Sequence, residues 1–296
     1  MQYYNMYLAN AFTDKAFNGN ATGIVISAGR MSDEEMQNVA KDLNQSVTVF
    51  VRRLDIGLYA TRFFRTDREI KLCGHATIAT FFALSENEYI QKIDNGIVKI
   101  NQLTQLGKIP VEIEYKNSKV KRVNMILNVR NLDKEISDER ILEAIGIKEE
   151  DLGLNGAILK PKKISTGGSD IVIPVKSVEI LEKIKINYDK VLELSKEEDI
   201  ISFQVFTIEE NKEEAHIRQR TFSPSIGVEE EAGSGTSTGA TLYYINKFVS
   251  KETKKIKSVQ GIELGRKSCL CAEIIDENTV KVGGIAFVFM NGVLNI

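Results

Sequence analysis

The chain of 296 residues is short of the residues that build metal centres, disulfide frameworks and membrane spans. It has two histidines, His75 and His216, and three cysteines, Cys73, Cys269 and Cys271. A structural zinc site draws its ligands chiefly from Cys and His, so no metal site is expected. Three thiols cannot close an even framework. Cys269-x-Cys271, placed in a strand, sits near the upper limit of Cα reach for a bridge. Unbridged thiols fit a reducing compartment, and the expected location is cytoplasmic. No apolar run approaches the length that spans a bilayer, and Gln2, Asn5, Asn10, Asp14 and Lys15 interrupt any leader-like core at the amino end. A net charge of -2 and a pI near 5.9 create no field that would gather nucleic acid or an anionic membrane. The expected partner is a small, uncharged-to-anionic molecule.

What is present is ordinary in bulk: 43% hydrophobic and 27% charged residues, as in a soluble globular protein. The length allows a large core and favours two domains. Mixed charge, as in Lys148-Glu149-Glu150 and Glu209 to Glu214, reads as solvated surface, and so does the run Glu229-Glu230-Glu231.

One stretch organises the rest. Arg62-x-Phe64 precedes Leu72-Cys73-Gly74-His75-Ala76-Thr77, and an apolar run, Phe81 to Leu84, follows. The second half repeats this order with Arg220-x-Phe222, then Gly233-Ser234-Gly235-Thr236-Ser237-Thr238-Gly239, then Leu242-Tyr243-Tyr244-Ile245. Each copy reads as strand, small-residue turn, buried helix. Setting Cys73 against Ala232 leaves one extra residue after the second arginine. A Gly/Ser/Thr turn that opens a helix leaves backbone N–H groups pointing outward at the positive end of the helix dipole, which suits a carboxylate or phosphate. The same residues also serve as plain helix caps. Two such turns suggest a duplicated fold holding one small anion at the seam.

Along the chain, strands are expected over Met1–Asn10, Ala21–Ser27, Val47–Val51, Tyr59–Arg65, Ile97–Ile100 and Val111–Tyr115. Ser32 with Glu35 is a capping box for a helix ending near Asn44. Asn117-Ser118 is the expected crossing point into the second half. Asp138–Ile145 is a helix capped by Ser137 and stopped by Gly146, and two amphipathic helices follow behind Ser177 and Asn187. Ile171–Val175, Ile201–Ile208 and Ala215–Phe222 are strands. Glu263–Cys271, Glu273–Asp276 and Thr279–Phe289 form a closing antiparallel series, in which Val282-Gly283-Gly284 marks a close backbone approach. Helices at 76–84 and 240–249 are apolar on most sides, so each is expected inside a wrapping sheet. The fold class is α+β, two similar halves, each a barrel-like, mostly antiparallel sheet around a central helix. The expected domains are 1–117 with 284–296, and 118–283.

Phe12-Thr13-Asp14…Phe17-x-Gly19-Asn20, Ser32-Asp33-Glu34-Glu35-Met36, Leu72–Thr77, Gly235-Thr236…Gly239-Ala240, Arg266-x-Ser268 and Val282-Gly283-Gly284 together resemble the PhzF-like phenazine-biosynthesis family across essentially the whole chain. The resemblance implies a diaminopimelate epimerase-like fold, a homodimer, and an isomerase that moves a proton with no metal or organic cofactor. It also implies a proton-carrying Glu in an Asn-x-Ser-Glu-Thr pattern. This chain has Asn44-Gln45-Ser46-Val47-Thr48, and valine carries no proton. His75 matches the family's substrate-contacting histidine, Glu231 stands where Asp is usual and Thr236 where Ser is usual.

His75 and Glu231 are therefore the candidate proton carriers, with Cys73 a third. A thiol at a helix N-terminus has a lowered pKa and a reachable thiolate, though the same residue also reads as a small buried hydrophobe. A two-thiol racemase lacks its second base, because the other turn offers Ala232 and Ser234, and serine needs activation by a neighbour. Asp67 and Glu69 are further carboxylates near the first turn. The expected substrate-binding set is Asn18, Ser46, Gly74, His75 and Ala76 in the first half, and Gly235, Thr236 and Ser237 in the second. A dinucleotide turn at Gly233–Gly239 is disfavoured by the three preceding glutamates. The expected function is cofactor-independent isomerisation of a small carboxylate-bearing metabolite. The alternative is a non-catalytic binding protein that has lost its Glu at Val47.

Overall fold

The computed structural model describes residues 1–132, 136–209 and 216–296. It divides into two compact units, 1–126 with 283–296, and 127–282.

The first unit contains β1 (Tyr3–Ala11), β2 (Asn20–Ile26), α1 (Asp33–Leu43), β3 (Thr48–Asp55), β4 (Leu58–Phe64), β5 (Glu69–Ile70), α2 (Gly74–Glu86), β6 (Gly96–Thr104), β7 (Gly107–Lys116) and β8 (Lys119–Asn128), plus the carboxy-terminal strand Ala286–Asn295. The carboxy-terminal strand pairs antiparallel with β1, and β1 with β2. β2 then runs parallel to β3, β3 antiparallel to β4, β4 parallel to β6, and β6–β7–β8 are antiparallel. α2 is buried from His75 to Ser85 with a single half-buried position, Phe82, and packs on β1, β2 and β3. Its apolar surface on all sides requires that wrapping. α1 covers the other face, burying Met36, Val39 and Ala40 against Val25, Phe50 and Phe64. The Ser32–Glu35 capping box forms, and Asn44 ends the helix in the left-handed region.

The second unit contains β9 (Arg130–Asn131), α3 (Asp138–Ile145), β10 (Lys162–Ser165), β11 (Ser169–Pro174), α4 (Val178–Lys183), α5 (Tyr188–Glu198), β12 (Ser202–Glu209), β13 (His216–Ser223), β14 (Val228–Glu231), α6 (Gly235–Tyr244), β15 (Lys255–Gln260), β16 (Ser268–Asp276) and β17 (Thr279–Gly284). Its pairings repeat those of the first unit. β10–β11 are antiparallel, β11–β12 parallel, β12–β13 antiparallel, β13–β15 parallel and β15–β16 antiparallel. α6 takes the place of α2, and α3, α4 and α5 cover the outer face with Ile141, Leu181 and Leu194 against Ile173, Phe203 and Val205. Gly239 sits mid-helix, where glycine costs about 1 kcal/mol relative to alanine. A Cβ there would meet Val282 Cγ1 at 2.8 Å, so the missing side chain is what lets α6 pack this close.

The Arg-x-Phe repeat has a physical basis. In the first unit Arg62 Nε and Nη2 donate to the two oxygens of Glu69 at 2.8 and 2.7 Å, and the guanidinium lies 5.1 Å from the Phe64 ring. In the second, Arg220 makes the same pair with Glu230 at 2.9 and 2.8 Å, 4.9 Å from Phe222. Each fork-to-carboxylate pair pins the short strand ahead of the turn to the strand before it.

Four expectations change. Asn117 and Ser118, both at positive φ, form the β7–β8 hairpin turn, and the chain leaves the first unit about ten residues later at 126/127. Ser137 makes no side-chain cap, whereas Gly146, Ser177 and Asn187 end or start their helices as expected. The strand after α6 is β15, ahead of the expected Glu263 start; residues 261–267 are a turn before β16. Its alternation of Lys, Ile, Lys, Ser and Val gave a weak apolar signal. Finally, Glu229-Glu230-Glu231 is not uniformly solvated, because strand alternation turns Glu230 inward to Arg220. The expected charge run at 210–214 and the expected strand start at 215 lie outside the described residues.

Candidate active site

In the first half Cys73 is the N-cap of α2, and its side chain caps none of the helix's amides. The Thr77 hydroxyl donates to the Cys73 carbonyl at 2.9 Å and accepts from Gln102 Nε2 at 3.2 Å, which fixes the turn. The first-turn N–H groups of Gly74, His75 and Ala76 have no acceptor within the helix, and they lie at the positive end of its dipole.

His75 is 6% exposed and held on both edges of its ring. Asn20 Nδ2 donates to Nδ1 at 3.1 Å, which leaves the proton on Nε2, donated to Ser46 Oγ at 3.2 Å. The Ser46 hydroxyl in turn donates to the Ala21 carbonyl. Cys73 Sγ lies 3.4 Å from His75 Nδ1. Burial pushes the imidazole pKa down to about 3, and the positive charge of Arg65 pushes the same way. His75 is therefore a neutral hydrogen-bonding group in the unliganded protein.

Val47 is 2% exposed, and its carbonyl is taken by the Thr22 hydroxyl at 2.8 Å and the Gly23 amide at 3.0 Å. It is a core residue behind Ser46. Asn18 is half-buried and donates to the Ala16 carbonyl at 3.3 Å. The loop residue that reaches His75 is Asn20. The turn there depends on Gly19, at φ +73, where a Cβ would lie 2.2 Å from the Ala11 carbonyl oxygen. Neither carboxylate ahead of the first turn is free: Asp67 pairs with Arg68 at 2.6 Å and Glu69 with Arg62.

In the second half Ser234 is the N-cap of α6 and accepts from the Ser237 amide at 3.4 Å. The Thr238 hydroxyl donates to the Ser234 carbonyl at 2.7 Å, as Thr77 does to Cys73. Cys73 therefore corresponds to Ser234, two residues beyond the Ala232 expected from sequence, and Gly74, His75 and Ala76 correspond to Gly235, Thr236 and Ser237. The extra residues are taken up by the longer second turn. Gln260 braces it, accepting from the Ser234 amide at 3.1 Å and donating to the Glu231 carbonyl at 2.8 Å. Glu231 is half-buried at the end of β14. Thr236 is half-buried and its carbonyl accepts from the Thr166 hydroxyl at 3.1 Å, while Ser237 is fully buried.

The phenazine biosynthesis-like protein family matches this chain over residues 9–292. The chain belongs to that family. As a PhzF-family chain it is 31% identical to an uncharacterised isomerase of Clostridium acetobutylicum, over 96% of each protein. It is also similar to the structure of a PhzF-family phenazine biosynthesis protein from Bacillus anthracis, with a TM-score of 0.85, 26% identity and complete coverage of both chains. The same PhzF fold extends to a probable proline racemase from Agrobacterium radiobacter, with a TM-score of 0.66 at 11% identity, covering 99% of this chain and 92% of that one. The fold is thus the diaminopimelate epimerase-like, two-half architecture. No described helix is long and apolar enough to cross a membrane.

Three residues of this PhzF-family chain escaped sequence reasoning. Asn20 lay in a matched segment but without an assigned role. Arg65 acts on His75 across space. Asp170, a lone acid at the head of the apolar strand β11, is 3% exposed and its pKa is pushed up to about 7 by burial, against the Ser237 and Ser202 hydroxyls. An acid opening an otherwise apolar strand was the only signal for it.

Proposed function

We propose that this protein is an isomerase that moves a proton on a small carboxylate-bearing metabolite without metal or organic cofactor. The observation that carries the reading is the start of α2, where unsatisfied amides, a thiol and a clamped imidazole meet. The amides and dipole suit a carboxylate. An arriving negative charge would raise the His75 pKa from its resting value, so the imidazole gains proton-transfer competence with substrate present. Cys73 is the neighbouring group able to take or give a proton, and Glu231 is the candidate carboxylate of the second half. Val47 leaves the proton to these groups. Similarity to proteins named as isomerases favours this reading over a non-catalytic binding protein. A cytoplasmic homodimer completes the proposal.

The test is solvent-deuterium incorporation, read by mass spectrometry, into a panel of small cyclic and amino-acid carboxylates. The expected result is exchange into one compound, lost in His75→Ala and reduced in Glu231→Gln. Binding of a panel compound with no exchange at high protein concentration would refute it.

A further inference from the structure

We propose that two copies of this chain meet along the outer edge of the strand Ala286–Asn295 (β18), the two strands pairing antiparallel about a two-fold axis at Val293. This interface rests on the homodimer of the reading above and is independent of its proton chemistry. All of it lies in the first unit.

β18 pairs antiparallel with β1 along one edge. Just beyond the paired strands, Gln2 N–H donates to the Ile296 carbonyl at 2.6 Å and Ile296 N–H to the Gln2 carbonyl at 3.1 Å. Facing residues of an antiparallel pair alternate between exchanging both bonds and exchanging none. Ile296, Leu294, Gly292 and Met290 therefore turn their backbone groups toward β1, and Asn295, Val293 and Asn291 turn theirs away. Among the described residues nothing accepts from those three outward N–H groups. Phe289 to Val293 are exposed without a break, so the edge is open.

Proteins normally guard an open edge with lysine, proline or a charge, because it invites another strand. β18 has no such guard. The chain is 27% charged, yet residues 1–13 and 285–296, which hold β1 and β18, have no Asp, Glu, Lys, Arg or Pro. What they expose is apolar, with Tyr3, Phe289, Met290, Val293 and Ile296 all open to solvent. Apolar groups gathered in one place mark a surface that something covers. An uncharged edge gives a charged partner strand nothing to pair with. A second copy brings the same uncharged edge, and a two-fold axis sets it against itself with no like charges opposed.

The bulge in β18 fixes the register. Leu8 faces Met290 and Ala9 faces Val288, so Phe289 is an extra residue that breaks the ladder. The regular edge runs from Met290 to Ile296, with Val293 at its midpoint. With the axis there, Val293 faces Val293 of the partner subunit and Asn291 faces Asn295 of the partner subunit. All three outward residues then exchange both of their bonds. Gly292 fits this register. A Cβ at Gly292 would meet nothing within 4 Å, so packing inside the chain does not call for a glycine. Glycine inside a strand often marks the close approach of another chain segment. Here it lies opposite Leu294 of the partner subunit and gives that side chain room.

Sedimentation velocity of the whole chain is expected to show a dimer. Val293 is 61% exposed, so Val293→Lys spares the fold while opposing two like charges at the axis; dimerisation is expected to weaken about a hundredfold. Asn291→Pro removes an outward donor, keeps the bonds to β1, and is expected to weaken dimerisation about tenfold. Disulfide trapping, with Cys269→Ser and Cys271→Ser in the background, reads the register. Facing residues that exchange bonds have Cα atoms about 5.5 Å apart, so Val293→Cys is expected to link two chains on oxidation. Two copies of Asn291→Cys are offset by about 13 Å along the strands and are expected to stay unlinked. The cysteine variants decide the matter if Val293→Lys fails to fold. A dimer indifferent to Val293→Lys and Asn291→Pro, or one linked through Asn291→Cys and not through Val293→Cys, overturns this interface and leaves the homodimer standing. A wild-type chain that stays monomeric at every concentration overturns both, and the deuterium panel then decides the isomerase reading separately.

Discussion

Asparagine at position 170 should abolish a pH dependence of stability that the wild-type fold carries. Asp170 has an unperturbed pKa of 3.8 and a folded value near 7. Between those values the folded protein holds a proton that the unfolded chain has shed, so stability falls as pH rises, and the loss is complete once pH passes the folded value. The slope is about 1.36 kcal/mol per pH unit, and a rise of about three units gives a total of about 4 kcal/mol. Asparagine has nearly the same shape and does not titrate. The assay is urea unfolding of both proteins at several values between about pH 4.5 and about pH 7.5, with the difference in free energy plotted against pH. Taking the difference cancels the other titrating groups. His75 makes that step necessary, because its folded pKa is depressed: its contribution is present above pH 6.5 and lost as pH falls toward about 3. The two slopes oppose each other between about pH 4 and about pH 6.5, so wild type alone looks flat there and Asp170→Asn unmasks a rise. A difference that stays constant from about pH 4.5 to about pH 7.5 would refute the assignment of a buried, neutral Asp170.

Two further outcomes test the architecture by urea unfolding. Arg220→Ala should cost about 3–5 kcal/mol, since it leaves Glu230 buried without its partner, both side chains being only 9% exposed. Arg62→Ala should cost clearly less, because Arg62 is 34% exposed and Glu69 can rehydrate; equal costs would contradict the difference in burial. Gly283→Ala should cost about 3 kcal/mol, because its Cβ would lie 2.2 Å from the Val123 carbonyl oxygen; a neutral effect would mean the backbones are not that close.

Much of this was legible in the chain because the signals are local. Ser32 with Glu35 is a capping box in sequence and in space, and the apolar runs announced the two wrapped helices, although the second is buried only to Ile245 and its end, 245–249, is a π-helical turn that exposes Lys247 and Val249. The Arg-x-Phe repeat exposed the duplication before any pairing was known. The register of that repeat was not legible. Setting Cys73 against Ala232 leaves one extra residue after the second arginine, while the Thr77 and Thr238 hydroxyl bonds align Cys73 with Ser234. Turn length absorbs insertions, and only hydrogen bonds mark the equivalent cap.

The chain by itself marked many of the strands and both core helices, because side-chain periodicity and capping act within a few residues, while β8 and β15 carried too weak an apolar alternation to be read. It also placed His75 and Cys73 at a helix start. Only the tertiary structure decided what those groups are chemically. Burial and Arg65 keep His75 neutral, Asn20 and Ser46 choose its tautomer, and Glu69 and Glu230 are committed to arginines. The apolar enclosure at the head of β11 makes Asp170 an acid of near-neutral pKa. Proton affinity depends on desolvation and on neighbours far apart in sequence, so the fold alone sets it.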